Sequence, residues 1–391
     1  MSRMAPWALS LAFLPGHLAC VPQDGAPDGL ASVLGATAVS PSDSASAPAD
    51  LPSAVRGTVW PGGYQVFDLG PSDAGRRWRI SPDAALGSPI VAALFDQDMN
   101  LLGRAYMGSG TRLEHILRNN VETLYLGIAG PLGGRETSYS LRLDLGNAAI
   151  PPPQRHVVWL NFADGRDVRV HGRDPVTFGP FDAGVIGAEY AGQTQAIKDL
   201  IMAAVRLDYA AYDIDVLSSD DGPPPDEPHS VVHFGGYDPT LLGLADSVDR
   251  YNVRLSESAI VYVGTFAAYR SLGLSADEVA VMLANVASHE LGHLLGLYHT
   301  ADADDIMDTT GSVWDLADSQ AFRRAKLEPS VFPTGMENSP EILQQTLGVS
   351  SSVAKLSAQS ARTKLAALRG ARQFSARELR HACGTCADPD H

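Results

Sequence analysis

Between residues 54 and 146, apolar and polar residues alternate in short runs. A period of two is typical of strands that bury one face, and turn-forming segments such as Pro61-Gly62-Gly63 and Gly133-Gly134 separate the runs. This pattern predicts an all-β sandwich domain over residues 54–146. Its predicted strands are Tyr64–Leu69, Arg77–Ile80, Ile90–Phe95, Thr123–Ile128 and Tyr139–Leu145.

After a proline-rich linker, residues 147–155, the pattern changes to strands that alternate with helices. Apolar residues recur at helical spacing between Gln193 and Tyr209, and the neighbouring short apolar runs predict strands. We therefore expect a second domain, of the α/β or α+β type, over residues 156–348. Its predicted strands are Val157–Phe162, Asp213–Leu217, Ser230–Phe234, Gly243–Val248 and Ala259–Val263.

A long helix is predicted to begin at Ser275, because Ser275 and Glu278 have the spacing of a capping box. Its apolar stripe continues at the same period to His289, Glu290 and His293. These three side chains should therefore lie on the face that packs against the sheet. The stripe consists of Val279, Met282, Leu283 and Val286.

The segment from His289 to His299 reads His-Glu-x-x-His-x-x-Gly-x-x-His. His289 and His293 are four residues apart, so a helix places both imidazoles on one face, where they can bind one tetrahedral metal ion. Gly296 can adopt backbone conformations that other residues resist, so the helix can end there and the chain can return His299 as a third ligand. Three protein ligands leave one position for water, which is typical of catalytic zinc sites.

Met307 follows His299 by eight residues, within Asp305-Ile306-Met307-Asp308. With this methionine, the motif resembles the metzincin clan of zinc endopeptidases, in the spacing of its matrixin-type members. The resemblance implies a mixed twisted sheet, an active-site helix and an irregular lower subdomain. It also implies that the three histidines bind Zn²⁺, that Met307 forms an apolar floor beneath the metal, and that Glu290 is the general base.

Two features of some metzincins are not expected. Asp308-Thr309-Thr310 follows the methionine, so no tyrosine supplies a further metal ligand there. Cys20 is the only cysteine before the motif, so a cysteine-switch propeptide is not expected either.

By the same resemblance, substrate would lie extended along an edge strand and pair with the backbone near Leu244 and Ala245. Trp314, seven residues beyond the methionine, is either a wall of the pocket beyond the scissile bond or a core residue.

Four carboxylates follow the third histidine, namely those of Asp302, Asp304, Asp305 and Asp308. They would bind Ca²⁺ as a second metal, or they would cap a polar turn. The sequence leaves both interpretations open.

The formal net charge of -16 argues against a nucleic-acid partner, because a phosphate backbone would be repelled. Residues 1–20 resemble a bacterial export signal, with a positive charge at Arg3 and an apolar core over Ala5–Leu14. Leu18-Ala19-Cys20 resembles the end of a lipoprotein signal, from which His17 is a departure. Two interpretations follow for the exported protein: a cell-envelope lipoprotein anchored to the membrane through lipidated Cys20, or a secreted protein.

Residues 21–53 are rich in Ala, Ser, Pro, Asp and Gly and predict a disordered linker. At the other end, residues 349–391 predict a basic helical tail. It contains Cys383 and Cys386, which would form a small disulfide loop in an oxidising compartment. A redox motif and a second zinc site are the alternatives. Asp315–Lys326 and Pro340–Leu347 are further predicted helices.

The leading functional hypothesis is a zinc-dependent endopeptidase that hydrolyses peptide bonds of extracellular proteins. The alternative is a surface-anchored binding or adhesion protein in which the metzincin-like domain is secondary or inactive. The presence of Glu290 and all three histidines favours the enzyme. The β-sandwich is either a substrate- or surface-binding module or a structural spacer.

Overall fold

A computed structural model describes residues 53–108 and 110–350 of the chain. The export signal with Cys20, nearly all of the predicted linker, and the tail with Cys383 and Cys386 lie outside the described residues, so those statements stay predictions. None of the described helices combines the length and the apolar character that crossing a bilayer requires.

Residues 54–147, called the N-terminal β-region below, form two four-stranded antiparallel sheets. The strands are β1 (Ala54–Val59), β2 (Tyr64–Asp68), β3 (Arg76–Pro82), β4 (Ile90–Phe95), β5 (Leu101–Met107), β6 (Leu113–Ile116), β7 (Tyr125–Ala129) and β8 (Thr137–Asn147). One sheet has the order β1-β8-β3-β6 and the other β2-β7-β4-β5. Side chains from both sheets share one buried core. Each of the five predicted strands overlaps an observed one, whereas β1, β5 and β6 were not predicted.

Strand β4 is buried on both faces, as its uninterrupted apolar sequence requires. Its even-numbered residues belong to the core between the two sheets. Its odd-numbered residues belong to a second cluster, which also contains Leu327, Val331 and Phe332 from the later part of the chain. The Phe95 and Phe332 rings meet edge to face at 5.2 Å. The N-terminal β-region and the later residues therefore share a hydrophobic core.

Residues 156–350, called the α+β region, contain a five-stranded sheet and a hairpin. The strands are β9 (His156–Asn161), β10 (Gly165–Val168), β11 (Val176–Phe178), β12 (Ile214–Ser218), β13 (Ser230–Phe234), β14 (Gly243–Ala245) and β15 (Ser258–Val261). The sheet order is β12-β9-β13-β15-β14. All neighbours in it are parallel except β14, which runs antiparallel to β15. The predicted mixed α and β character is thus confirmed.

Two long helices pack on this sheet and share one core with it. They are α1 (Thr194–Asp208) and α2 (Ala276–Leu294). The chain then forms α3 (Val313–Leu316), a two-stranded sheet of β16 (Arg324–Lys326) and β17 (Met336–Asn338), and α4 (Ser339–Leu347).

The predicted helix over Asp315–Lys326 is wrong. Helix α3 ends at Leu316, and Arg324–Lys326 is a strand. The side chain of Asn285 donates hydrogen bonds to the carbonyl oxygens of Leu316 and Asp318, both at 2.8 Å. A helix that continued past Leu316 would need these acceptors for its own amides, so the tertiary contact stabilises the helix end.

His156, at the start of β9, gives the fold a pH dependence that can be measured. It is 2% exposed, its Nε2 lies 3.0 Å from Ser230 Oγ, and Asn252 Nδ2 donates to its Nδ1 at 3.1 Å. Burial lowers the pKa of His156 to about 4. Between pH 4 and about 6.5, the unfolded chain therefore binds a proton that the folded chain does not, so this residue should reduce the free energy of unfolding by about 2 kcal/mol from pH 7 to pH 5.

Urea unfolding at both pH values, for the parent chain and for His156→Gln, measures this effect. Burial also raises the pKa values of Glu257 and Asp305 to about 7, and their protonation acts in the opposite direction as pH falls. The difference between the two chains separates His156 from these carboxyls. An equal change in both chains would contradict the assignment.

Candidate metal centre

Helix α2 positions the first two histidines and the glutamate between them. It begins with the predicted capping box, in which Ser275 N donates to Glu278 Oε2 at 2.7 Å and Glu278 N donates to Ser275 Oγ at 3.2 Å. From Met282 to its end, every residue of the helix is buried. His289 and His293 therefore lie inside the protein, where packing restricts their side-chain rotamers.

The helix ends in a Schellman turn at Gly296, whose φ is +94°. Leu297 N donates to Gly292 O at 2.9 Å and Gly296 N donates to His293 O at 2.8 Å, which is the hydrogen-bond pattern of that motif. A Cβ at Gly296 would lie 2.6 Å from Arg250 Cα and 2.9 Å from Asp249 O. Both the backbone conformation and the neighbouring loop thus require glycine here.

The turn brings the third histidine to the first two. His293 Nε2 lies 3.1 Å from His289 Nε2 and 3.1 Å from His299 Nε2. Among the described residues, these three histidines form the one group of at least three potential ligands whose donor atoms converge within 4.8 Å. All three side chains are buried.

Backbone carbonyls orient two of the imidazoles. His289 Nδ1 lies 2.7 Å from Ile306 O, and His293 Nδ1 lies 2.8 Å from Leu297 O. A carbonyl oxygen only accepts hydrogen bonds, so each Nδ1 carries the proton and each Nε2 presents its lone pair to the centre. Hydrogen bonds of this kind fix the ring orientation and increase the basicity of a metal ligand.

The donor set fits a zinc ion. With Zn–N distances of roughly 2.0–2.1 Å, two nitrogens of a tetrahedral site lie about 3.3 Å apart, close to the spacing of both measured pairs. Three neutral imidazoles are a known donor set for catalytic zinc. The residues present would therefore hold Zn²⁺ through the Nε2 atoms of His289, His293 and His299.

Met307 packs against helix α2 at Gly292. It is fully buried, and a Cβ at Gly292 would lie 2.6 Å from its Sδ. Its carbonyl oxygen accepts a hydrogen bond from Thr300 N at 2.9 Å, which connects the methionine turn to the residue after His299. This contact agrees with an apolar floor next to the histidines, a role that stays a prediction.

Glu290 lies between α2 and the end strand of the sheet. It is 1% exposed, and a Cβ at Gly243 would overlap its carboxylate. Gly243 is the first residue of β14, followed by Leu244 and Ala245, and this strand stands at the end of the sheet order. Leu244 belongs to a buried apolar cluster with Val170, a residue of the loop that follows β10. The substrate contacts predicted for Leu244 and Ala245 remain predictions.

Trp314 lies on the short helix α3, partly buried against the core that holds α1 and α2. Its backbone N–H donates to Ser312 Oγ at 3.3 Å. These contacts agree with the interpretation as a core residue, and its predicted role as a pocket wall stays a prediction.

Of the four aspartates near the site, Asp302, Asp305 and Asp308 cap turns, whereas Asp304 forms an ion pair. Asp308 accepts from the N–H groups of Thr310 and Gly311, and Asp305 accepts from Thr300 Oγ1 at 2.8 Å. Burial raises the pKa of Asp305 to about 7. Of the other two, Asp302 accepts from the N–H of Asp304, and Asp304 forms an ion pair with Arg323 at 2.7 Å. This bonding fits the turn-capping interpretation, and calcium binding stays a prediction.

Three residues of the site were missed by the sequence reasoning. Ile306 and Leu297 act through their carbonyl oxygens, for which no side-chain type gives a signal. Gly243 leaves space for the Glu290 carboxylate. A glycine within a predicted strand indicates close approach of another group, so that signal was available.

The peptidase M10 family model, described as matrixin, matches residues 220–322, about a quarter of the chain. No curated protein sequence matches the chain.

Several solved structures are remotely similar. Archaemetzincin from Methanopyrus kandleri has 14% sequence identity and a TM-score of 0.28, over 49% of this chain and 95% of that chain. PliG of Aeromonas hydrophila, a periplasmic inhibitor of g-type lysozyme, has 12% identity and a TM-score of 0.21, over 24% and 84%. The Yersinia pseudotuberculosis-derived mitogen has 11% identity and a TM-score of 0.19, over 25% and 86%.

The matrixin match covers β13, β14, β15, helix α2, all three histidines and Met307. It supports a metzincin-like metallopeptidase, a class of hydrolase that acts on proteins or peptides and for which zinc is implied.

Proposed function

We propose that this protein is a zinc-dependent endopeptidase that hydrolyses peptide bonds of extracellular proteins, with Glu290 as its general base. The convergence of the Nε2 atoms of His289, His293 and His299 is the observation that carries the proposal. The matrixin match over the same segment supports it.

Zinc bound by the three imidazoles would polarise the scissile carbonyl and make the attacking water more acidic. The protein's own contribution to proton transfer is Glu290, which follows the first histidine and is buried beside β14. Its carboxylate accepts a proton from the attacking water and then delivers that proton to the departing amine. Its burial keeps bulk water away from the group during this transfer.

Substrate would bind as an extended segment along β14. This short strand stands at the end of the sheet order, and it begins at the glycine against which Glu290 lies. A peptide that adds to such a strand gains main-chain hydrogen bonds and places its scissile bond near the carboxylate. Export, and with it access to extracellular substrates, is proposed from the sequence of residues 1–20.

Removal of zinc should abolish the activity. Treatment of the purified full-length chain with a strong chelator is expected to stop cleavage of casein or of a peptide library, because the three imidazoles alone activate no water. Dialysis followed by one equivalent of Zn²⁺ should restore cleavage, and Ca²⁺ alone should not. Mass spectrometry of the fragments measures the effect and gives the cleavage preference. Cleavage that continues after complete zinc removal would contradict the proposal.

A further inference from the structure

We propose that Arg250 is a positioning residue, through which the N-terminal β-region stabilises the turn that carries the third zinc ligand. The inference rests on the proposed function because it assumes that His289, His293 and His299 bind zinc. The N-terminal β-region would then contribute to metal binding by holding Arg250 against this turn.

Arg250 connects three parts of the chain. Its guanidinium donates to the carbonyl oxygens of Leu101 and Leu102 in β5, the latter at 3.3 Å. It also donates through Nη1 to Gly296 O at 2.8 Å, in the Schellman turn, and to Glu337 Oε1 at 2.7 Å. One side chain therefore binds the N-terminal β-region, the turn after α2 and strand β17.

Glu337 continues this connection to the third histidine. It is fully buried, and its Oε1 also accepts a hydrogen bond from Tyr298 N at 3.2 Å. Tyr298 directly precedes His299. The Arg250–Glu337 ion pair thus binds the backbone of the turn at both Gly296 and Tyr298. Both groups are largely removed from water, so the pair is screened little by solvent.

The backbone of the loop around Arg250 also contacts helix α2. Asp249 N donates to His293 O at 3.0 Å, at the helix end. Tyr251 and Asn252 have positive φ angles of 68° and 50°, which non-glycine residues rarely adopt. Such conformations persist where the surroundings determine them.

Those surroundings again include the N-terminal β-region. The guanidinium of Arg118 stacks on the Tyr251 ring at 3.9 Å from its centroid, and Asn252 donates to His156. The loop conformation, and with it the position of Arg250, therefore depends on residues of both the N-terminal β-region and the α+β region.

Arginine suits this position better than lysine. A guanidinium presents five N–H donors in a planar fork, so it can bind several carbonyls and a carboxylate at once. An ammonium group could pair with Glu337, but it has three donors around one atom and would not span β5, Gly296 and Glu337 together. Arg250→Lys therefore keeps the positive charge beside Glu337 but removes the planar set of donors that reaches β5 and Gly296.

The test measures zinc affinity rather than cleavage, on the full chain. Zinc dissociation constants would be determined by chelator competition for the parent, for Arg250→Lys and for the double variant Arg250→Gln/Glu337→Gln, which leaves no lone buried charge. Arg324→Gln is the matched control. Arg324 also joins the two regions, by hydrogen bonds to Asn100 Oδ1 and Asp98 O at 2.6 Å. Among the described residues, no hydrogen bond joins the Arg324 side chain to the turn from Gly296 to His299.

Both Arg250 variants are expected to bind zinc about 10- to 100-fold more weakly, as is usual when groups that orient metal ligands are lost, whereas Arg324→Gln should stay within about twofold of the parent. The visible spectrum of the Co²⁺-loaded protein should change in the Arg250 variants alone. Parent-like zinc affinity in a folded Arg250 variant would overturn the proposal. An equal loss in Arg324→Gln would do the same, and so would failure of both Arg250 variants to fold, since Arg250 would then support the whole fold.

The outcome is separable from the proposed function. A parent chain that binds zinc but cleaves no peptide contradicts the peptidase proposal, while the comparison of zinc affinities still tests Arg250.

Discussion

Replacement of Glu290 by alanine is expected to lower kcat/KM for a peptide substrate by roughly a thousandfold or more, with zinc binding retained. General acid–base catalysis by a placed side chain contributes about 10²–10⁴-fold. Glu290 is the buried carboxylate next to the first histidine, and it lies against the end strand of the sheet. Steady-state kinetics and zinc content, measured on the same preparations, give both quantities.

Glu278→Gln, on the same helix, is the control for this variant. It changes a carboxylate at the helix start, where glutamine also serves in a capping box, so activity should be unchanged. Unchanged cleavage by Glu290→Ala would remove Glu290 from the mechanism. Loss of zinc together with activity would instead make Glu290 part of the metal site.

Gly296→Ala is expected to destabilise the fold strongly. The new Cβ would meet backbone atoms of Arg250 and Asp249 at 2.6 and 2.9 Å, and the φ of +94° adds its own cost. The structure must then shift the turn that returns His299. We therefore expect a loss of zinc affinity together with a loss of folding free energy.

Gly273→Ala is the matched comparison. Gly273 also has a positive φ, of +68°, but a Cβ there meets no atom within 4 Å. Its replacement should cost only the backbone term, about 1–2 kcal/mol. Gly296→Ala should exceed that value by about 2 kcal/mol or more because of the overlap. Urea unfolding of the zinc-free chains measures both, and similar values for the two variants would contradict this account.

The geometry of the candidate metal centre was predictable because most of its signals are local in the sequence. The spacing of His289, His293 and His299, the capping box at Ser275 and the glycine at the helix end all act within a few residues of one another. The structure contains the hydrogen bonds that this local pattern predicts at the start and at the end of helix α2. The convergence of the three Nε2 atoms follows from it.

The support around the centre was not predictable in the same way. Arg250 and Glu337 are 87 residues apart, and the partners of Arg250 in β5 lie 148 and 149 residues away in the chain. Nothing in the spacing of these residues indicates that they meet. A single arginine in a polar loop is most simply interpreted as a solvent-exposed residue.

The same distinction explains the errors in secondary structure. Strands β2 and β4 have clear alternating or apolar sequences and were predicted, whereas β5 contains a glycine and an arginine and was not. The sequence after Asp315 predicts a helix, but α3 ends at Leu316. Asn285, on α2, donates hydrogen bonds to the carbonyl oxygens of Leu316 and Asp318, which a longer helix would need for its own amides.

The burial of strand β4 limits which amino-acid substitutions the N-terminal β-region can accept. Because both of its faces are covered, a residue such as Ala93 is constrained by partners in both regions of the chain. A Cβ at Gly127, in the neighbouring strand, would lie 2.6 Å from Phe332, so that position is equally constrained. The N-terminal β-region is therefore poorly suited to exchange between relatives as a self-contained module. Substitutions on its inner strands should be accepted only together with compensating changes around Leu327, Val331 and Phe332.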